Sequence, residues 1–231
     1  MVLLVTMSAL AVSCGEKDTP DPQQEEIVTA KGIFSISEST HIKFAKGNLT
    51  YTNGKFSSCK RQCDYGDYFA FDIIQDSITD DSSHSQIEGG WRNLKRSEWQ
   101  YLLTERPNAN NLFGHACVCG IKGLVILPDD WSHWEYFASF NVAHGFDSNQ
   151  YNESGWSIME DLGAIFLPAA GYSNGDHTLY EGDLGYYWTP DKKDSNTAYN
   201  LFFDGNTISV NSYNPILYQF PVRLAREEKE K

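Results

Sequence analysis

The stretch LPAAGYSNGDHTLYEGDLGYYWTPDKKDSNTAYNLFFDGNTISVNSYNPILYQFPVRLAR, residues 167–226, decides how this chain is read. Aromatics, turn dipeptides and short alternating runs are denser here than anywhere else. Tyr199, Leu201 and Phe203 alternate with Ala198, Asn200 and Phe202, the period of a strand with two distinct faces. Asp204-Gly205 follows and suits a tight hairpin, because both residues tolerate positive φ. On the return run Ile208 and Val210 share one face, with Thr207, Ser209, Asn211 and Tyr213 on the other. Phe220, Val222 and Leu224 then alternate with Pro221, Arg223 and Ala225. Upstream, Gly182 and Gly185 open an aromatic run through Tyr186, Tyr187 and Trp188. The pattern predicts a compact antiparallel sheet of short strands with one apolar face. The other face carries Asn, Ser, Thr and Tyr, which combine adaptable hydrogen bonding with flat contact area.

Working outward, residues 164–167 form a strand that leads into this stretch. Residues 154–161 have the spacing of a short helix that buries Trp156, Met159 and Leu162 and ends at Gly163. Residues 117–127, rich in Val, Ile and Leu, read as one buried strand. Residues 97–104 are the clearest helix: Ser97 caps it, Gln100 completes a capping box, and Trp99, Leu102 and Leu103 form its buried stripe. Residues 72–90 read as a surface loop, whose Asp76, Asp80 and Asp81 lack the spacing of a calcium loop. Residues 27–56 are strand territory, with Asn53-Gly54 as a hairpin turn and Asn48-Leu49-Thr50 as another turn. The expected fold class is α+β: mostly antiparallel, short-stranded sheets with two short helices.

At 231 residues and 41% hydrophobic content, the chain can fill one sizeable core, placed here as a single domain over residues 27–231. A net charge of −13 argues against nucleic acid, which needs clustered Lys and Arg, and against adsorption to anionic membranes. Residues 2–12 are apolar but too short to span a bilayer, and they end at Ser13-Cys14. Residues 1–13 are therefore expected to be a lipoprotein signal peptide, with Cys14 lipidated after cleavage. Residues 14–26, acidic and proline-containing, read as a flexible tether. Membrane contact is then through the lipid anchor alone, and the protein is expected to be a monomer.

Cys59, Cys63, Cys117 and Cys119 allow three disulfide connectivities, with pairing between the two clusters open outside the cytoplasm; buried free thiols are the default reading, and CxxxC with CxC is not zinc-site spacing. No metal and no cofactor are assigned. The chain has no GxSxG elbow, HExxH or phosphate-binding loop, so it reads as non-enzymatic. A hydrolase with an unrecognised acidic site is the more distant alternative.

The succession LPAAGY, GDLGYYW, AYNLFF, ISVNSYN and PVRLAR, with WRNLKRSEWQYLL and GLVILPDDW upstream, resembles the Fibrobacter succinogenes major paralogous domain family. These are surface lipoprotein domains abundant in Bacteroidetes, and the resemblance spans residues 32–226. It implies a C-type-lectin-like fold, shared with formylglycine-generating enzymes and with the variable proteins of diversity-generating retroelements. The C-terminal cysteine pair of the former has no counterpart after Cys119, nor are the EPN, QPD or WND motifs of calcium-dependent lectins present. In the variable proteins, ligands meet exposed residues of the C-terminal sheet. The corresponding positions here are Trp188, Thr189, Asp191, Tyr199, Asn200, Asn206, Asn211, Tyr213, Asn214 and Tyr218. The resemblance thus implies an outer-membrane lipoprotein, exposed at the cell surface, that binds a protein or glycan. A structural or fimbria-associated envelope subunit is the alternative.

Overall fold

Among the described residues, short antiparallel strands and three short α-helices give an α+β architecture. The computed structural model describes residues 27–77, 87–136 and 142–228. Cys14, the leader, the tether, Asp80 and Asp81 lie outside the described residues. Among the described residues, no helix is long and apolar enough to cross a membrane.

The C-terminal sheet consists of Gly185–Lys192, Thr197–Phe203 and Ile208–Pro215, in that order. The expected alternation holds in the middle strand. Leu201 and Phe203 enter one apolar cluster with Tyr187 and Val210, while Ala198 joins Trp188, Phe71 and Phe220 in another. Both faces of the sheet are therefore covered in part, where one polar face was expected. The connecting turn also differs from expectation. Neither Asp204 nor Gly205 takes positive φ. Instead the Asp204 carboxylate accepts the N–H groups of Asn206 and Thr207, each at 2.7 Å, and closes the turn through its side chain.

Residues 117–127 are not one strand. Phe113–Val118 and Ile121–Ile126 pair as a hairpin around Cys119 (φ 53°) and Gly120 (φ 83°). Two successive left-handed residues make the tight turn that matches strand twist. Ile165–Pro168 extends this sheet on one side, and Gln150–Tyr151 runs parallel to Phe113–Val118 on the other. The four cysteines among the described residues, Cys59, Cys63, Cys117 and Cys119, are free. Cys63 is buried as expected, Cys59 and Cys117 are half-buried, and Cys119 is exposed at the turn. Burial pushes the Cys59 thiol up to about 11, with Asp64 adding to the effect, so it is a poor nucleophile.

The expected loop from residue 72 begins instead as a helix, Phe71–Ser77, which buries Phe71 and Ile74. The helix Glu153–Asp161 buries Trp156 and Met159 and is capped by Asn152, whose side chain accepts the Gly155 N–H. Asn53 and Gly54 both take positive φ between Leu49–Thr52 and Lys55–Ser58, as the turn dipeptide predicts.

The two ends of the described chain meet. Ala225–Glu227 pairs antiparallel with His41–Phe44. Just before it, Arg223 is buried, and its guanidinium donates to Asn48 Oδ1 at 3.0 Å, Phe166 O at 2.8 Å and Lys46 O at 3.3 Å. No carboxylate among the described residues forms an ion pair with it. Burial pulls its pKa down to about 10, an effect the nearby Tyr187 opposes. Asn48, expected in a turn, is fully buried and also donates to Tyr65 O and the Tyr187 hydroxyl.

Replacing Arg223 with Ala would strand these oxygens without a donor. Hydrogen bonds from a charged donor contribute about 1.5–3 kcal/mol each. The expected result is a loss of more than about 3 kcal/mol, read as a shift in denaturant midpoint. His115 offers a pH test. It is buried among apolar neighbours beside Phe146, and Nε2 has no partner among the described residues. Burial lowers its pKa below the usual imidazole range, although the Asp204 backbone opposes this. As pH falls, the unfolded chain therefore takes up the proton first. The contribution of neutral His115 is complete above about 6.5 and declines below it. Denaturant midpoints at about pH 7.5 and pH 5.5 should differ less for His115→Gln than for wild type.

Candidate functional site

An open groove of about 480 Å³ lies where the second helix meets the C-terminal sheet. It is lined by Arg96, Ser97, Gln100, Asp191, Lys192, Tyr199 and Asn211. Its shape comes from two bulges in the sheet. On one side of the middle strand, Val210 and Asn211 together oppose Leu201, because the pairing moves from Asn200–Ser212 to Phe202–Ser209. On the other side, residues 189–191 lie between the pairs Trp188–Asn200 and Lys192–Ala198, facing Tyr199. An extra residue reverses the alternation of the strand that contains it. Asn211 and Tyr213 therefore share a side with Val210, although simple alternation opposes them. Tyr199 and Tyr213 are register partners, with ring centres 6.3 Å apart at 80°.

The helix Arg96–Gln100 supplies the opposite wall. Its inward anchor is Trp99, which is buried and stacked 5.7 Å from Phe44. Its cap differs from the expected Ser97 and Gln100 arrangement. The Lys95 N–H donates to the Glu98 carboxylate at 2.7 Å, and Arg92 grips the same carboxylate at 2.7 and 2.8 Å. After Gln100 the chain widens into a π-turn over Tyr101–Glu105. Arg96 and Gln100, four residues apart on the helix, both line the groove.

Arg96 is held on three sides. Its backbone N–H donates to Asp191 Oδ2 at 2.6 Å. Its Nε donates to Asn211 Oδ1 at 2.9 Å, and its Nη2 donates to the same oxygen. Its guanidinium carbon lies 4.6 Å from the centre of the Tyr199 ring, within cation–π range. At the rim, Lys193 Nζ sits 3.0 Å from the centre of the Tyr213 ring. Lys192 pairs with Asp72 at 3.1 Å. Asp194 stays within its own turn, where it accepts from the Thr197 hydroxyl and from the N–H groups of Asn196 and Thr197. These bonds, the Thr197 hydroxyl first, hold its pKa low.

The groove thus gathers Tyr199, Asn211 and Asp191, with Tyr213 beside them. The other sequence-derived positions lie elsewhere, and three of them are buried. Trp188 is 2% exposed, stacks 4.0 Å from Phe220 and donates Nε1–H to Phe69 O at 3.0 Å. Asn200 is completely buried opposite Trp188. Neither can meet a ligand in this state, because the sheet face they occupy is covered by Phe71 and Phe220. Thr189 is likewise buried and donates to Tyr199 O. Asn206 is exposed at the hairpin turn, away from the groove lining. Asn214, out of phase with Tyr213, falls on the opposite face. Tyr218 packs with that face too, stacked 4.9 Å from Tyr172.

Arg96, Lys192 and Lys193 were not singled out by the sequence, and Gln100 was read only as part of a helix cap. Arg96 is more than a hundred residues from its partners Tyr199 and Asn211 along the chain. The available signal was its four-residue spacing from Gln100 in the expected helix. Comparison of the chain with protein-family models, curated proteins and solved structures gives no match.

The division between core and groove can be measured by stability alone. Trp188→Ala is expected to cost about 3–5 kcal/mol, as for other buried aromatics. Tyr213→Ala, at an exposed position, is expected to cost about 1 kcal/mol or less. Chemical denaturation of the two variants beside wild type checks both values.

Proposed function

We propose that this protein is a non-enzymatic, lipid-anchored surface protein that holds a glycan or protein ligand on its C-terminal sheet, in a domain of the C-type-lectin-like kind. The observation that carries this reading is the convergence of Tyr199, Asn211 and Arg96 in one open groove, built by two bulges on a rigid sheet. The groove offers an amide, a guanidinium, a carboxylate and a hydroxyl around aromatic rings, the mixture found where polar ligands are oriented. Asp191 is the one carboxylate in its lining, and its Oδ2 already accepts the Arg96 N–H. Hydrolysis of a glycosidic bond would need a second carboxyl group across the groove.

The reading as an envelope subunit has its own support in the strand Ile208–Pro215, which is paired on one side only among the described residues. An open edge can accept a strand from another chain. The bulge at Val210 and Asn211 interrupts that edge, which favours ligand binding over strand addition.

The test is binding of the mature protein to a glycan array and to purified envelope and mucus glycoproteins, with wild type beside Tyr199→Ala with Asn211→Ala. Loss of binding in an equally folded variant is the expected result. Undiminished binding would remove the groove as the site. A stable complex that instead depends on the outer edge of Ile208–Pro215 would favour the subunit reading.

A further inference from the structure

We infer that the groove selects an acidic saccharide, one whose carboxylate or sulfate is forked by Arg96; this rests on the groove being the binding site. The chain as a whole is strongly acidic, with 31 Asp and Glu against 18 Lys and Arg. Most of its arginines are already engaged. Arg61 pairs with Asp64, Arg92 with Glu98 and Glu227, and Arg106 with Asp129, while Arg223 is buried on neutral oxygens. Arg96 is exposed, yet among the described residues its guanidinium meets no carboxylate. Its side-chain partner is the neutral amide of Asn211, where an aspartate would have cancelled the charge.

The geometry leaves a particular edge of Arg96 open. Nε and Nη2 share Asn211 Oδ1, so the Nη1 N–H groups and the second Nη2 N–H remain for a ligand. Two parallel N–H groups match the two oxygens of a carboxylate or sulfate. Asn211 and the Tyr199 ring hold the fork in place beforehand, so little side-chain freedom is lost on binding. Lys193, over the Tyr213 ring, adds a second cation at the rim and forms no ion pair among the described residues.

The rest of the lining distinguishes a sugar from an acidic peptide. Asp191, Gln100, Ser97 and the Asn211 amide nitrogen offer the mixture of acceptors and donors that a hydroxyl-rich ligand needs. A run of carboxylates would meet Asp191 and the net charge of −13 at once. A single anionic group on a ring of hydroxyls meets one fork and one acceptor.

The experiment measures binding of saccharides ending in sialic acid, in a uronic acid or in a sulfated galactose, each beside its uncharged counterpart. A polyglutamate peptide is the additional arm. Proteins are wild type, Arg96→Gln, Asn211→Asp and Tyr199→Ala, with melting curves for each. The expected result is binding of acidic members over uncharged counterparts, weakening as salt rises. Arg96→Gln and Asn211→Asp should each lose about tenfold or more. Asn211→Asp is the informative variant, because its carboxylate keeps Arg96 in place while neutralising it. Equal binding of charged and uncharged saccharides, insensitive to Arg96→Gln but lost in Tyr199→Ala, would overturn the anionic class and leave the groove standing. Polyglutamate binding lost in Arg96→Gln, without saccharide binding, would overturn the sugar and keep the fork. Binding that survives every substitution, or no binding of any probe, would overturn the inference, and the former would overturn the groove with it.

Discussion

A guanidinium without a carboxylate holds this fold together. Arg223 is buried between three parts of the chain and makes its bonds to neutral oxygens. Removing an isolated cation from water is costly, and that cost is recovered only where several acceptors converge. Here they come from Lys46 and Asn48 near the beginning of the described chain and from Phe166 in the central sheet. Gln62 extends the set: it accepts the Phe166 N–H at 2.6 Å and donates to Ala164 O at 3.1 Å. Asn48 then reaches the Tyr187 hydroxyl, which donates to Pro168 O at 2.9 Å. Misplacing any of these segments would leave a buried charge or a buried carbonyl unsatisfied. The network is therefore demanding about topology in a way that apolar contacts alone are not.

That demand determines where the sheet can vary. Tyr187 is tied into the network, and Trp188 is fixed by Phe69, Phe71 and Phe220. The first half of the strand Gly185–Lys192 thus has no freedom. Its second half, past Trp188, leaves regular register, as does the facing part of Ile208–Pro215. Both irregularities lie beside Tyr199. The groove occupies the portion of the sheet that the core does not need, and the rigid portion carries it.

Much of this was written in the sequence at short range. The alternation of Tyr199, Leu201 and Phe203, the Asn53-Gly54 turn and the helix around Trp156 and Met159 all follow from local periodicity, and the structure keeps them. What the sequence hid has specific causes. Cys119-Gly120 is not a usual hairpin dipeptide, so the apolar residues on either side read as one strand. Asn48 reads as a turn residue because its partner Arg223 lies 175 positions away. Trp188 looks like a contact residue until Phe71 and Phe220 are seen to cover it. The parity of Asn211 was misassigned because a bulge leaves no mark in a single strand: it exists only as a mismatch between two.

The same reasoning explains why the groove chemistry, and not the aromatic density, marks the candidate site. Aromatic residues are abundant throughout the C-terminal region, and most are spent on one another, as Tyr172, Tyr186, Tyr218 and Phe220 are. An aromatic ring is thus weak evidence of a ligand in this chain. An exposed arginine fixed by an amide is stronger evidence. Fixing a long cationic side chain costs conformational entropy. In a protein of net charge −13, carboxylates are plentiful, and an aspartate at position 211 would hold Arg96 more strongly than asparagine does. Stability alone therefore favours the carboxylate. An amide there keeps the side chain ordered and leaves its charge available, and the proposed recognition of an anionic ligand rests on that combination.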